Sequence, residues 1–172
     1  MAFLNVEIKA HCSNPSEVRS FLQRNDASFK GTDNQVDTYF KTNKGRLKLR
    51  EGNIENNLIY YERTDHAGPK DSKFILVKVE DAAGLKQVLS LSMGIKAIVN
   101  KKREIYYIGN VKFHIDEVDR LGSFVEIEAG NVLAERSREE LQKQCDHYVQ
   151  ALGIRHTDML AQSYSDMLMK IV

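Results

Sequence analysis

Near the N-terminus, apolar and polar residues alternate strictly, which is the pattern of a β-strand with one covered face. The apolar positions are Leu4, Val6, Ile8 and Ala10, and the polar positions between them are Asn5, Glu7 and Lys9. A solvated face would be an ordinary explanation for one such strand. The same alternation returns in four later segments, and in each of them the polar positions carry charge.

The four later segments place basic and acidic residues on the faces opposite their apolar residues. The charged positions are Arg46, Lys48 and Arg50; Lys101 and Arg103; Lys112, His114 and Asp116; and Glu126 and Glu128. Five strands of this kind predict a sheet whose apolar face is covered and whose other face collects both signs of charge. An open sheet with water on its charged face explains this pattern. A sheet that closes on itself explains it too, and its charged face would then line a lumen.

The remaining elements follow from hydrophobic periodicity and from capping and turn signals. We predict helices over residues 15 to about 26, from a cap at Asp81 to Gly94, from a cap at Ser137 to Gly153, and from Thr157 or Asp158 to residue 171. The other strands are predicted over 36–41, 46–50, 58–63, 74–79, 97–108, 111–118 and 124–129, with a loop over 64–73. Eight antiparallel strands suffice to close a sheet around side chains or one small ligand. We predict one α+β domain over residues 1–172.

Composition places the chain among globular proteins and argues against two classes of partner. Of its 172 residues, 42% are apolar and 28% are charged, which is the usual range for a globular domain. The net charge of +1 gives no bulk attraction to nucleic acid or to an anionic membrane, and no apolar run has the length of a transmembrane helix. Cys12 and Cys145 lie outside any metal-ligand spacing, so we predict free thiols in a cytoplasmic protein.

The charged face indicates a specific chemistry if it lines a lumen. Basic side chains that arrive from several walls suit a polyanion, because each phosphate oxygen accepts a charge-assisted hydrogen bond from its own direction. Carboxylates beside them would repel that polyanion unless a divalent cation lay between, and oxygen ligands favour Mg²⁺ or Mn²⁺ over zinc. The pattern therefore fits a metal-bound oligophosphate site, and it also fits a salt-bridged sheet face in water.

Seven sequence blocks, in a fixed order over nearly the whole chain, carry a family resemblance. They are Val6-Glu7-Ile8-Lys9, Asp37-Thr38-Tyr39-Phe40, Gly45 to Arg50, Val99 to Tyr106, Asp116-Glu117-Val118, Leu121 to Glu128 and Ser163 to Asp166. They resemble the CYTH superfamily, which groups class IV adenylyl cyclases with thiamine triphosphatases and other triphosphate tunnel enzymes, and the later blocks look most like the cyclase branch. The resemblance implies an α+β fold in which eight antiparallel strands close into a tunnel, open at both ends, with helices packed on the outside.

The resemblance also implies roles for single residues. Glu7, Glu126 and Glu128 would bind the metal, Mg²⁺ or Mn²⁺, while Lys9, Lys48, Arg50, Lys101 and Arg103 would hold the triphosphate. Catalysis would depend on Glu7, Lys9, Asp116, Glu126 and Glu128. The chain departs from the family signature Glu-x-Glu-x-Lys at Asn5, an amide in place of the first acid. Residues 60–63 are a second departure, and periodicity leaves open whether Glu62 or Arg63 faces inward.

These observations lead to three hypotheses about function. The first is a metal-dependent enzyme acting on ATP, thiamine triphosphate or tripolyphosphate, either as an adenylyl cyclase or as a triphosphatase. The second is a module that binds polyphosphate or a nucleotide without turning it over, a hypothesis that Asn5 keeps open. The third is a structural or interaction protein.

Two further features have both a structural and a functional interpretation. His114 could contact a phosphate or act as a base, or it could be a structural histidine whose hydrogen bonds are satisfied. The segment with Met159, Met167 and Met169 fits core packing, while an exposed part of it could form a homodimer interface.

Overall fold

The computed structural model describes residues 2–171, which form eight strands and four α-helices. The strands are β1 (Phe3–His11), β2 (Ser28–Phe40), β3 (Arg46–Glu51), β4 (Asn57–Arg63), β5 (Lys70–Lys78), β6 (Ile95–Ile108), β7 (Val111–Val118) and β8 (Gly122–Gly130). The helices are α1 (Pro15–Arg24), α2 (Ala82–Met93), α3 (Arg138–Ala151) and α4 (Tyr164–Lys170), and His156–Asp158 form one turn of 3₁₀-helix. Within residues 2–171, no helix has both the length and the apolar character that crossing a membrane requires.

The strands close into a barrel in the order β1-β5-β4-β3-β2-β6-β7-β8, and every neighbouring pair is antiparallel. Register brings the charged faces together. In the β1–β8 pair, Glu7 lies opposite Glu128 and Lys9 lies opposite Glu126. Because side chains alternate between the two faces of a strand, paired residues share a face, and the charged positions of neighbouring strands therefore point into one lumen. The predicted closed eight-stranded barrel is confirmed.

Helices α1 and α3 cover the outer faces of β1, β7 and β8. Asn14 accepts a hydrogen bond from the Glu17 N–H and caps α1, while Ser137 and Glu140 form a reciprocal capping box that starts α3. The buried residues of this outer core include Val6, Ile8, Val18, Leu22, Phe113, Ile127, Leu141 and Cys145. Their burial outside the barrel leaves the lumen to the charged positions of the same strands.

A second apolar cluster lies inside one end of the barrel. Tyr164 and Leu168 of α4 pack there with Tyr39, Val99, Val118 and Phe124, and partly buried neighbours join them. The chain reaches this position through an extended segment, in which Leu160 donates its N–H to the Lys9 carbonyl at 2.8 Å. The helix therefore packs against one end of the barrel.

Three predicted boundaries were wrong. Strand β2 begins at Ser28 and not at residue 36, because residues 28–35 are polar on both faces and lack the alternation that marks a strand. Strand β5 begins at Lys70, which shortens the predicted loop to residues 64–69. Apolar spacing predicted one long C-terminal helix, but the backbone around Leu160 pairs with β1, and α4 begins only after the Ser163 cap.

Candidate functional site

The lumen contains a cavity of about 290 Å³, and most residues predicted for the site line it. The predicted residues in its wall are Glu7, Lys9, Lys48, Arg50, Lys101, Arg103, Glu126 and Glu128. The one exception is Asp116, which lies behind Arg103 and has 1% of its surface exposed. The structure thus brings together residues from four strands, β1, β3, β6 and β8, that the charge pattern had assigned to one face.

The cavity wall carries more positive than negative charge. Among the described residues, seven basic side chains line it: Lys9, Lys48, Arg50, Arg63, Lys101, Arg103 and Lys112. Four carboxylates line it as well: Glu7, Glu55, Glu126 and Glu128. Two further carboxylates, those of Asp37 and Asp116, lie behind the basic residues and bind them from the side away from the cavity. An anionic ligand would therefore meet cations that are already held in place.

Asp37 on β2 organises three of these cations. Its carboxylate accepts two hydrogen bonds from Arg50, both at 2.9 Å, one from Lys48 at 3.0 Å and one from Lys101 at 2.8 Å. Burial alone would raise the pKa of Asp37, but Arg50, Lys101 and Lys48 together hold it well below its usual value. Burial lowers the pKa of Lys101 well below its usual value, although Asp37 opposes this shift.

A second network of hydrogen bonds joins Arg103 to residues of β7, β8 and α4. Arg103 donates to both oxygens of Asp116, at 2.7 and 2.6 Å, and to Glu126 at 3.1 Å. The Tyr164 hydroxyl also donates to Asp116, at 2.7 Å, and the Lys9 ammonium lies 3.6 Å from the centre of the Tyr164 ring. Lys9 forms an ion pair with Glu126 at 3.0 Å. These contacts tie α4 to the cavity wall.

Glu128 differs from the other acids because the described residues place no lysine or arginine within ion-pair distance of it. Burial raises the pKa of Glu128 to about 7, and repulsion from Glu7 and Glu126 adds to the shift. His114 Nδ1 lies 3.8 Å from Glu128 Oε1. Burial, with Arg103 and Lys112, lowers the pKa of His114 to about 3, so its imidazole is neutral at pH 7.

Arg63 is an inward-facing residue that sequence reasoning left undecided. It donates to Glu7 at 3.2 Å, while the neighbouring Glu62 is exposed on the outer face. Its Nε and Nη2 atoms are buried and have no hydrogen-bond partner among the described residues. Such donors are costly unless a ligand or water accepts from them. Alternation did not reveal this orientation, because residues 60–63 are all polar or aromatic and fit either face.

Two more residues of the wall were given no role in the site from the sequence. Lys112 shares the face of His114, so strand alternation did contain that signal. Glu55 lies in the β3–β4 loop, where no periodicity exists, and accepts hydrogen bonds from Lys112 at 2.7 Å and Arg50 at 2.9 Å. The loop is held by Asp33, which accepts from the Ile54 and Glu55 N–H groups.

The donor set of the cavity fits a divalent cation. His114, Glu126 and Glu128 each offer one ligand atom, and these three atoms lie within 4.8 Å of one another. Glu7 was predicted to complete the metal site, and it lies opposite Glu128 in the β1–β8 pair, but its side chain is paired with Arg63. The charges also favour a cation at this position, because Glu7 and Glu126 repel the Glu128 carboxylate and a bound cation would relieve that repulsion.

Comparison with known proteins gives a family for this fold and this cavity. The sequence model of the CYTH domain matches residues 4–163, nearly the whole chain. The chain belongs to the CYTH family. A Methanocaldococcus jannaschii protein named "Putative adenylate cyclase MJ0240" is 25% identical to it, over 95% of this chain and 98% of the relative.

Solved structures with the same fold include an archaeal and a plant protein. The PH1012 protein of Pyrococcus horikoshii matches with a TM-score of 0.80 and 24% identity, over 94% of this chain and 98% of the other. The HpAC1 protein of Hippeastrum, described as a putative adenylyl cyclase with a dominant triphosphatase activity, matches with a TM-score of 0.61 and 14% identity, over 95% and 93%. At these identities the structural likeness concerns the fold alone.

Proposed function

We propose that this CYTH protein is a divalent-metal-dependent enzyme that binds the triphosphate group of its substrate in the barrel cavity. The observation that carries the proposal is the ring of basic side chains around that cavity. The seven basic side chains come from five strands, and two buried nitrogen donors of Arg63 have no hydrogen-bond partner among the described residues. A compact polyanion would accept from all of these donors, whereas a solvated sheet face would have no need to gather them.

The chain's own residues preorganise the phosphate contacts. Asp37 holds Lys48, Arg50 and Lys101, and Asp116 holds Arg103 by two parallel hydrogen bonds. Because the cations are oriented before the substrate arrives, little reorganisation is needed when negative charge develops in the transition state. We therefore assign triphosphate binding to Lys9, Lys48, Arg50, Lys101 and Arg103, and we add Arg63 to that group.

The carboxylates of the cavity wall are proposed to bind the metal. Glu126 and Glu128, with Glu7 opposite Glu128, would hold Mg²⁺ or Mn²⁺. A bound ion would neutralise charge on the phosphate oxygens and polarise the bond to be broken. Lys9 neutralises Glu126 from one side, and Asp116 acts through Arg103 and Tyr164 as a positioning residue.

Two reactions fit this arrangement, and both begin with the same bound triphosphate. Attack by the ribose 3′-hydroxyl of ATP on the α-phosphorus yields cyclic AMP, an activity that the name of the Methanocaldococcus relative supports. Attack by water on the terminal phosphorus yields inorganic phosphate, an activity that HpAC1 has. The alternative without turnover is a polyphosphate- or nucleotide-binding module.

Turnover assays with purified protein separate these possibilities. ATP, thiamine triphosphate and tripolyphosphate are each incubated with Mg²⁺ or Mn²⁺, with EDTA as the metal-free control, and the products are identified by chromatography. Lys101→Met should lower kcat/KM about tenfold or more, since one charge-assisted hydrogen bond to phosphate is lost. The matched control is Lys102→Met, because Lys102 is the exposed neighbour on the outer face. Full activity in EDTA would contradict the proposal, and tight binding without turnover would favour the binding module.

The organisation of the protein is also part of the proposal. We propose that residues 1–172 act as one tunnel domain in the cytoplasm, with Cys12 and Cys145 as buried free thiols. The predicted homodimer stays a prediction; Met169 of α4 is 49% exposed and is available for such a contact. Sedimentation velocity at several protein concentrations would test it.

A further inference from the structure

An imidazole lies among the carboxylates that are proposed to hold the metal. His114 Nδ1 is 3.0 Å from Glu126 Oε2 and 3.8 Å from Glu128 Oε1. The side chain lines the cavity although only 1% of the residue is exposed, and its second nitrogen, Nε2, has no partner among the described residues.

The two separations from His114 Nδ1 match those of ligands around one ion. Ligand atoms about 2.1 Å from a small divalent cation lie roughly 3.0 Å apart at an angle of about 90° and roughly 3.6 Å apart at about 120°. The two distances from His114 Nδ1 fall close to these values. An ion between the imidazole and the two carboxylates would therefore require only small side-chain movements.

Two other residues, Glu7 and Asn5, are less suited than His114 to be the third ligand. Glu7 lies opposite Glu128, but Arg63 binds its carboxylate at 3.2 Å and would have to be displaced or shared. Asn5 lies opposite Gly130, one inward-facing position farther from Glu126 along β1. His114 pairs directly with Glu126 in the β7–β8 register, and within residues 2–171 no basic residue is hydrogen-bonded to it.

We propose that His114 is a metal ligand, together with Glu126 and Glu128, and that this mixed nitrogen–oxygen site selects Mn²⁺ over Mg²⁺. The inference rests on the proposed function as a metal-dependent enzyme and refines it, because an all-oxygen site would not discriminate in this way. Mg²⁺ binds through oxygen and gives up its water reluctantly, whereas imidazole is a good ligand for first-row transition metals. Binding through Nδ1 would place the ring proton on Nε2.

Electron paramagnetic resonance of Mn²⁺ added to the substrate-free protein tests the nitrogen ligand directly. Electron spin-echo modulation should show coupling to ¹⁴N, and labelling the protein with ¹⁵N-histidine should replace it by the ¹⁵N pattern. His114→Asn should abolish the coupling and weaken Mn²⁺ binding about tenfold or more, while Mg²⁺ binding changes less. His147→Asn is the control, because His147 is exposed on α3. The labelling experiment uses the unchanged protein and so does not depend on the variant folding.

Three results would overturn the inference: no Mn²⁺ binding, Mn²⁺ binding without nitrogen coupling, or coupling that persists in His114→Asn. Failure of the inference is distinguishable from failure of the proposed function. Metal-dependent turnover of a triphosphate without nitrogen coupling refutes the histidine ligand and leaves the enzyme proposal standing. Histidine-coupled Mn²⁺ without turnover of any triphosphate supports the ligand and contradicts the enzyme proposal.

Discussion

Replacing Asp37 by asparagine should destabilise the protein strongly, because the change removes the one carboxylate shared by three cations of the cavity wall. Asp37 has 1% of its surface exposed and accepts from Arg50, Lys48 and Lys101. Asparagine has nearly the same shape, so packing is kept while the negative charge is lost. The Lys101 side chain is as buried as that of Asp37 and forms no other ion pair among the described residues, so it would retain no partner of opposite charge.

The expected loss follows from the energetics of buried ion pairs. Removing one member of such a pair typically costs about 3–5 kcal/mol, because the remaining charge is left buried and uncompensated. With a urea dependence of about 2 kcal/mol per molar, the midpoint of unfolding should fall by roughly 1.5–2.5 M. Burial opposes the ionised form of Asp37 and the three cations more than offset that effect, so the same carboxylate is ionised in the wild type.

The assay is urea unfolding at pH 7 followed by circular dichroism, with and without tripolyphosphate. Asp71→Asn is the control, since the Asp71–Arg138 pair is about half exposed and should contribute at most about 1 kcal/mol. Tripolyphosphate should raise the midpoint of Asp37→Asn more than that of the wild type, because the anion replaces the missing carboxylate. An unchanged midpoint for Asp37→Asn would refute the assignment of Asp37 as the organiser of these cations.

Three further predictions concern other parts of the cavity. The pKa of Glu128 is raised from 4.5 to about 7, so the folded state binds this proton more tightly than the unfolded state does. The stability of the wild type in EDTA should therefore fall as the pH rises through this interval, whereas that of Glu128→Gln should not. Parallel stability curves for the two proteins would contradict the raised pKa. Arg63→Gln should weaken tripolyphosphate binding, measured by calorimetry, about 10- to 100-fold. The control Arg155→Gln, at an exposed position, should bind tripolyphosphate as the wild type does, and an unchanged affinity in Arg63→Gln would show that Arg63 is not part of the site. Tyr164→Phe should lower the free energy of unfolding, measured with urea, by about 1.5–3 kcal/mol, because Asp116 loses a hydrogen bond. An unchanged free energy of unfolding would show that this contact does not hold α4 in place.

Much of the barrel could be predicted from the sequence because strand alternation reports which residues share a face. Lys48 and Arg50 on β3, and Lys101 and Arg103 on β6, were assigned to one charged face from spacing alone, and the structure places them in the cavity wall. Alternation failed where both faces of a strand are polar. The first half of β2 was missed for this reason, because its inner residues Asp33 and Gln35 face the lumen and its outer ones are polar as well.

The pairing inside the lumen could not be predicted, since it depends on register between strands that are distant in sequence. Asp37 lies in a recognisable sequence block, yet only the β2–β3 and β2–β6 pairings place it between Arg50 and Lys101. The orientation of Arg63 needed the β4–β5 register. Strand periodicity could not predict the position of Glu55, because this residue reaches the cavity from a loop.

The central claim, that the cavity processes a triphosphate with the help of a divalent metal, is tested most directly by ³¹P nuclear magnetic resonance of ATP during incubation with the protein. We expect the triphosphate signals to disappear with Mn²⁺ or Mg²⁺ and to persist in EDTA. Pyrophosphate with cyclic AMP would identify attack at the α-phosphorus, and inorganic phosphate with ADP would identify attack at the terminal phosphorus. If ATP is unchanged, tripolyphosphate and thiamine triphosphate are followed in the same way. Triphosphates that stay intact in every metal-containing sample would contradict the account.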